Sequence, residues 1–152
     1  MATDDLRLAE RFEIRQLAER YARGADRCDG ELVASAFLPD GILRIYPEGV
    51  REGPAPRELR GRETISEAIA KLSRYQVTTH FLGQQFIEFD GSGATGETYC
   101  LAHHLYNEGD VRLNYVMSIR YLDTYDRLDG AWLIAERRLM LDWAETRRVS
   151  QQ

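Results

Sequence analysis

The chain has 152 residues, 43% of them apolar and 30% charged, with a net charge of −5. That length supports one domain with a sizeable core, expected to span residues 1–152 with its heart at 6–143. The acidic balance argues against nucleic acid or an anionic membrane as partner, and no apolar run nears the roughly 20 residues of a membrane helix.

The opening Met1-Ala-Thr-Asp-Asp does not read as a signal peptide. Cys28 and Cys100 lack metal-site spacing and read as reduced packing thiols, so a cytoplasmic setting is expected. Ile14, Leu17, Ala18 and Tyr21 recur at helical spacing and predict an amphipathic first helix. Gly24 interrupts it and Asp26 follows. In a straight helix Asp26 points roughly opposite Leu17, so it can face the core only if the helix ends or tightens near Gly24.

A short second helix is expected over 31–38, then a strand through Ile42, Leu43 and Ile45. Residues 47–56, rich in proline and glycine, read as an irregular loop, either a pocket rim or a solvated connector. A third helix is expected over 61–75, with Ile65, Ala68, Ile69 and Leu72 on one face. From Val77 onward the chain reads as strands, with turn signals at 90–93, 107–110 and 129–130 between apolar runs. Helices followed by an antiparallel meander predict an α+β architecture, N-terminal helices packed on a curved, mainly antiparallel sheet.

Strand parity then suggests what shares a surface, because successive side chains face opposite sides. Between Val111 and Tyr121 the odd positions, among them Tyr115, Met117 and Tyr121, are the apolar, inner set. In the last strand the odd set runs Leu133, Ala135, Arg137, Leu139, Leu141 and Trp143, leaving Arg137 as a lone cation on an apolar face. A buried guanidinium needs a carboxylate or an electronegative ligand atom, unless its head reaches water at the sheet edge. In the strand before these, Thr98, Cys100 and Ala102 share parity with His104, as though that side leaves room, so His104 is expected inside and His103 outside.

The Tyr21/Asp26 pair, the Thr-x-His segment ending in His80, and the Asp129-Gly130-Ala131-Trp132 run leading to Arg137 carry a resemblance over most of the chain, from Leu6 to Trp143. The chain resembles a SnoaL-like member of the nuclear-transport-factor-2-like superfamily, a cystatin-type cone enclosing a pocket. Within it, the branch of scytalone dehydratase, bile-acid 7α-dehydratase and hexachlorocyclohexane dehydrochlorinase is the most similar. The resemblance implies that His80 and Asp26 form the catalytic base and that Arg137 lines the pocket. It also implies a pocket-lining polar residue at His104 and a substrate-activating tyrosine at Tyr21, with Tyr46 and Tyr115 as looser matches.

Two functions follow. In the first, the protein is a cofactor-free lyase, dehydratase-like, or an isomerase. His80 removes a proton, Asp26 orients it and stabilises its cation, and Tyr21 or Tyr115 donates to the developing oxyanion while Arg137 steadies the departing group. Cys100, Met117, Tyr121, Leu139 and Leu141 would line the site, pointing to a small hydrophobic, cyclic or aromatic substrate. In the second, the fold is a non-catalytic binding or assembly module, and His80 and Asp26 are a satisfied polar pair. No metal is expected, since at most one of His103 and His104 can join His80. A homo-oligomer, dimer or trimer, is expected through the even face of Val116 and Leu122 beside Arg112 and Arg120.

Overall fold

The computed structural model describes residues 3–150, with side chains from Arg7 onward. Met1 and Ala2 of the opening stretch, and Gln151 and Gln152, lie outside the described residues. Helix α1 (Thr3–Asp26) packs Ile14, Leu17, Ala18, Tyr21 and Ala25 into the core, the stripe its spacing predicts. The helix does not stop at Gly24. It runs to Asp26 and closes there, the Asp29 amide donating to the Gly24 carbonyl and the Cys28 amide to the Ala25 carbonyl. Cys28 takes the left-handed conformation (φ 54°) that this closure requires.

Gly24 has another purpose. A β-carbon there would stand 2.6 Å from Val33 Cγ2, so the glycine lets α2 (Gly30–Ala34) press against α1. Asp29 caps α2 by accepting a 2.9 Å bond from the Leu32 amide. This helix is shorter than the expected 31–38, because the chain leaves it to begin β1 (Phe37–Tyr46). Pairing with the last strand overrides local propensity: Ile134 donates to the Ala36 carbonyl, and Phe37 is fully buried opposite Ile134.

β2 (Arg57–Arg60) follows the loop; with one apolar residue, Leu59, it left no readable alternation. α3 (Arg62–Ala70) buries Ile65 and Ile69 and passes into a 3-10 turn over Lys71–Arg74, occupying the span read as one helix. Strands β3 (Val77–Asp90), β4 (Gly93–Glu108), β5 (Val111–Leu128) and β6 (Ala131–Arg148) form the expected meander. The sheet order is β2-β1-β6-β5-β4-β3, antiparallel throughout except the parallel β1–β6 pair. The helices cover its concave side in a cone. Among the described residues no helix is long and apolar enough to cross a membrane.

Bulges bend this sheet, and two of them reset the parity of β6. Ile134 pairs with Tyr125 but Glu136 with Thr124, and Leu141 pairs with Ile119 but Trp143 with Ser118. Trp132 and Ile134 are therefore buried on even positions, whereas Arg137 and Leu139 are buried on odd ones. The single odd set expected from Leu133 to Trp143 breaks at both bulges. Trp143 ends on the outer face, 44% exposed.

Candidate active site

The helix flank beside the apolar stripe, not the stripe itself, builds the site. Arg11, Arg15 and Asp26 lie on one face of a regular helix, within roughly 60° of one another. All three reach β3, the edge strand that wraps round the helix. Arg11 donates to the Ile87 carbonyl, Arg15 to the Gly83 carbonyl, and Asp26 receives three donors from Thr78 and His80. Asp26 thus meets His80 without any break in α1, because the strand comes to the helix.

The Thr-x-His spacing now has a local cause. Thr78 and His80 sit two apart on a strand, so both turn inward and bracket the carboxylate. Thr78 Oγ1 lies 3.2 Å from Asp26 Oδ1, the His80 amide 3.0 Å from each carboxylate oxygen, and His80 Nδ1 2.7 Å from Oδ1. A carboxylate only accepts, so Nδ1 carries the hydrogen and the Nε2 lone pair is left for the cavity. Burial pushes the Asp26 carboxyl up, but the His80 ring and amide bonds outweigh it and hold the group below its ordinary value. Opposite His80 on β4 stands Ala102, too small to block the ring.

His104 is the diagonal neighbour on β4, its ring centroid 5.8 Å from that of His80. Its Nδ1 lies 3.1 Å from the Tyr115 carbonyl oxygen, an acceptor only, so here too Nδ1 donates and Nε2 keeps its lone pair. Burial, aided by the fields of His80 and Arg74, lowers its pKa to about 4, so it is neutral at pH 7. His103 lies on the opposite face, against Asn114. Among the described residues no three metal-ligating side chains converge.

Both histidines border a cavity of about 270 Å³. Its floor is Tyr21, Leu43, Ile119 and Leu139; Met117, Tyr115 and Tyr75 form one wall, and α3 with its 3-10 turn supplies Ile69 and Leu72. Burial raises the Tyr21 hydroxyl to about 12 and also pushes Tyr115 up, so each remains a donor. Tyr75 packs against His104 with ring centroids 4.9 Å apart and planes tilted by 54°, and was missed in the sequence, as were the rim residues Arg57, Lys71 and Arg74. Only the helical stripe ending at Leu72 hinted at that wall.

Asp26 stands behind His80 rather than in the lining, Tyr46 lies away from it and donates to the Gly53 carbonyl at 3.3 Å, and four more expected site residues also lie outside. Arg137 is fully buried beneath the floor, where Nε and Nη2 donate to Asp123 at 2.9 and 2.7 Å. Its guanidinium lies over the rings of both Tyr21 (4.4 Å) and Tyr121 (4.1 Å), which meet each other edge to face at 5.4 Å. Arg137 thus has a carboxylate partner, one of the outcomes parity left open, and its guanidinium meets the cavity floor at the Tyr21 ring. Tyr121 and Cys100 are buried with it, burial pushing the Cys100 thiol up to about 11. Leu141 packs partly buried against the core. The 47–56 loop supplies no lining residue either; Arg51 ties it to Asp142 at 2.9 Å.

A helix-covered curved sheet whose buried side holds a polar pair against an apolar cavity defines a cone-type pocket protein. The SnoaL-like domain model matches residues 6–138, and the chain belongs to that family; its fold is the cystatin-like one. A variant of Rv3472, a protein of unknown function from Mycobacterium tuberculosis, is similar at 27% identity over 93% of this chain and 77% of that one, with a TM-score of 0.77. A Novosphingobium aromaticivorans protein provisionally named scytalone dehydratase matches at 20% identity over 99% of this chain and 94% of that one, TM-score 0.78. The type-3 hexachlorocyclohexane dehydrochlorinase of Novosphingobium barchaimii matches at 20% identity over 95% and 94%, TM-score 0.78. Among curated proteins none matches the chain.

Proposed function

We propose that the protein is a cofactor-independent lyase of the elimination type, with isomerisation as the nearest variant, acting on a small hydrophobic cyclic molecule. One observation carries this reading: the 2.7 Å contact that fixes the His80 tautomer at the edge of an apolar cavity. In the proposed step His80 Nε2 takes a proton from carbon, and the C–H electrons form the new double bond as the leaving group departs. Asp26 stabilises the resulting imidazolium. Hydrogen bonds from Tyr21 or Tyr115 steady the developing negative charge, and neutral His104 accepts from a substrate hydroxyl. Arg137 holds the Tyr21 ring and is a positioning residue. The dehydratase and dehydrochlorinase names of the structural neighbours support the same class of chemistry.

The test is turnover on a panel of cyclic hydroxy-ketones and halogenated rings, with His80→Ala and Asp26→Asn as controls. Loss of about 10³–10⁴ in rate for Asp26→Asn is expected, the scale on which a mis-set tautomer acts. Turnover that survives His80→Ala would sink the assignment of the base. Ring-nitrogen NMR of His80 gives a second readout: a titration unchanged by Asp26→Asn means no functional dyad.

Self-association through the outer sheet face, and a cytoplasmic setting, belong to the same proposal. Phe81, Leu101 and Trp143, all exposed, support the first, and the unpaired thiols of Cys28 and Cys100 support the second.

A further inference from the structure

The rim of the cavity differs in charge from the chain as a whole. Arg57 on β2 and Lys71 and Arg74 on the 3-10 turn border it, all three exposed, and no carboxylate is among the lining residues. Elsewhere arginines such as Arg44, Arg51, Arg120 and Arg127 are held in ion pairs with Asp or Glu. Among the described residues none of the three rim cations has such a partner; Arg74 rests on the Tyr75 ring at 4.8 Å. The field of Arg74 extends inward as far as His104, and Glu48, on the loop after β1, is the one carboxylate whose field is felt at the Tyr115 side. A chain of net charge −5 has therefore gathered uncompensated positive charge around an apolar opening.

We infer that the ligand of this cavity is an amphipathic anion: a compact hydrocarbon body of one or two rings, carrying a carboxylate or phosphate ester held by Arg57, Lys71 and Arg74. The body fits the apolar floor of Tyr21, Leu43, Ile119 and Leu139. The anion stays at the wet rim, where cations attract it without its full desolvation. That orientation sends the hydrocarbon end toward His80 and His104. The inference rests on the cavity being a small-molecule site, as the lyase reading does, but not on any catalysis there.

Three probes of one shape test it on the full chain: 2-naphthoate, 2-naphthyl phosphate and the uncharged 2-naphthamide, titrated calorimetrically at low and high salt. At low salt at least one anion should bind about tenfold more tightly than the amide, with the advantage shrinking as salt rises. The Arg57→Gln/Lys71→Gln/Arg74→Gln variant should lose the advantage and keep the affinity for the amide, which also reports that it is folded. Whichever anion binds tighter names the headgroup. Equal affinity for all three probes, no binding of any, or a preference that persists in the triple variant overturns the inference. His80→Ala leaves the rim charge intact and should keep the preference. A wild type that prefers anions yet turns over nothing on the substrate panel, extended to hydroxylated and halogenated ring carboxylates and phosphate esters, would remove the lyase reading alone.

Discussion

His104 sets an acid limit on the folded state. Its folded pKa is lowered from the ordinary 6.5 to about 4, so between those values the unfolded chain binds the proton that the native chain refuses. Stability must then fall as pH drops through that window, by roughly 2 kcal/mol for a group that keeps some access to water. Asp26 adds a separate loss lower down: its depressed pKa contributes stability that disappears only as pH falls below the ordinary carboxylate range. Urea midpoints of wild type should decline from pH 7 to pH 4, and His104→Gln should flatten that stretch while keeping the loss below it. An equal slope in both proteins would remove His104 from the account. Arg137 allows a second measurement, since among the described residues Asp123 is the one carboxylate paired with its buried charge. Asp123→Asn should cost about 3–5 kcal/mol in urea, whereas exchanging both partners for apolar residues should cost less than the sum of the single changes. The sequence left Arg137 with a carboxylate, a ligand atom or water as its partner and did not name Asp123, because the parity reading of β5 ended at Tyr121, one inward position short of it.

At the scale of elements, Gly24 separates two physical accounts. If it merely weakened a helix, Gly24→Ala would stabilise by about 1 kcal/mol. The 2.6 Å approach of Val33 predicts the opposite, a loss of about 1–3 kcal/mol as α2 is pushed away. Thermal melts of the single variant decide the sign, and a raised Tm would refute the close-packing account. The same residue shows what could be read in advance. Periodicity located α1, the meander and its turns because each depends on local spacing. It did not supply the route by which Asp26 meets His80, since that depends on an edge strand curling round a helix flank. Nor did it reveal the β6 bulges, which displace one residue without any marked change in composition, so half of that strand's inward set was assigned to the wrong side.

The whole molecule turns one sheet face inward and leaves the other uncovered. Phe81, Leu101, Ser118 and Trp143 are successive partners across β3, β4, β5 and β6, a single row on the convex side. Phe81 is 69% exposed, while Val116, on the same side of β5, is already buried. Charges bordering this row are neutralised within the chain, Arg120 bonding both Asp142 and Glu97. Two copies can therefore meet face to face without trapping an unpaired charge, whatever the net repulsion of an acidic chain at a distance. Light scattering behind size exclusion should give a multiple of 17.5 kDa, two or three chains. Phe81→Glu/Trp143→Glu should reduce it to one chain and leave binding of the naphthalene probes unchanged, because the row lies across the sheet from the cavity. A wild type that elutes as one chain at all concentrations would refute self-association. If instead the double variant is monomeric but no longer binds, the outer face also supports the cavity through the sheet, and the two faces cannot be treated as independent.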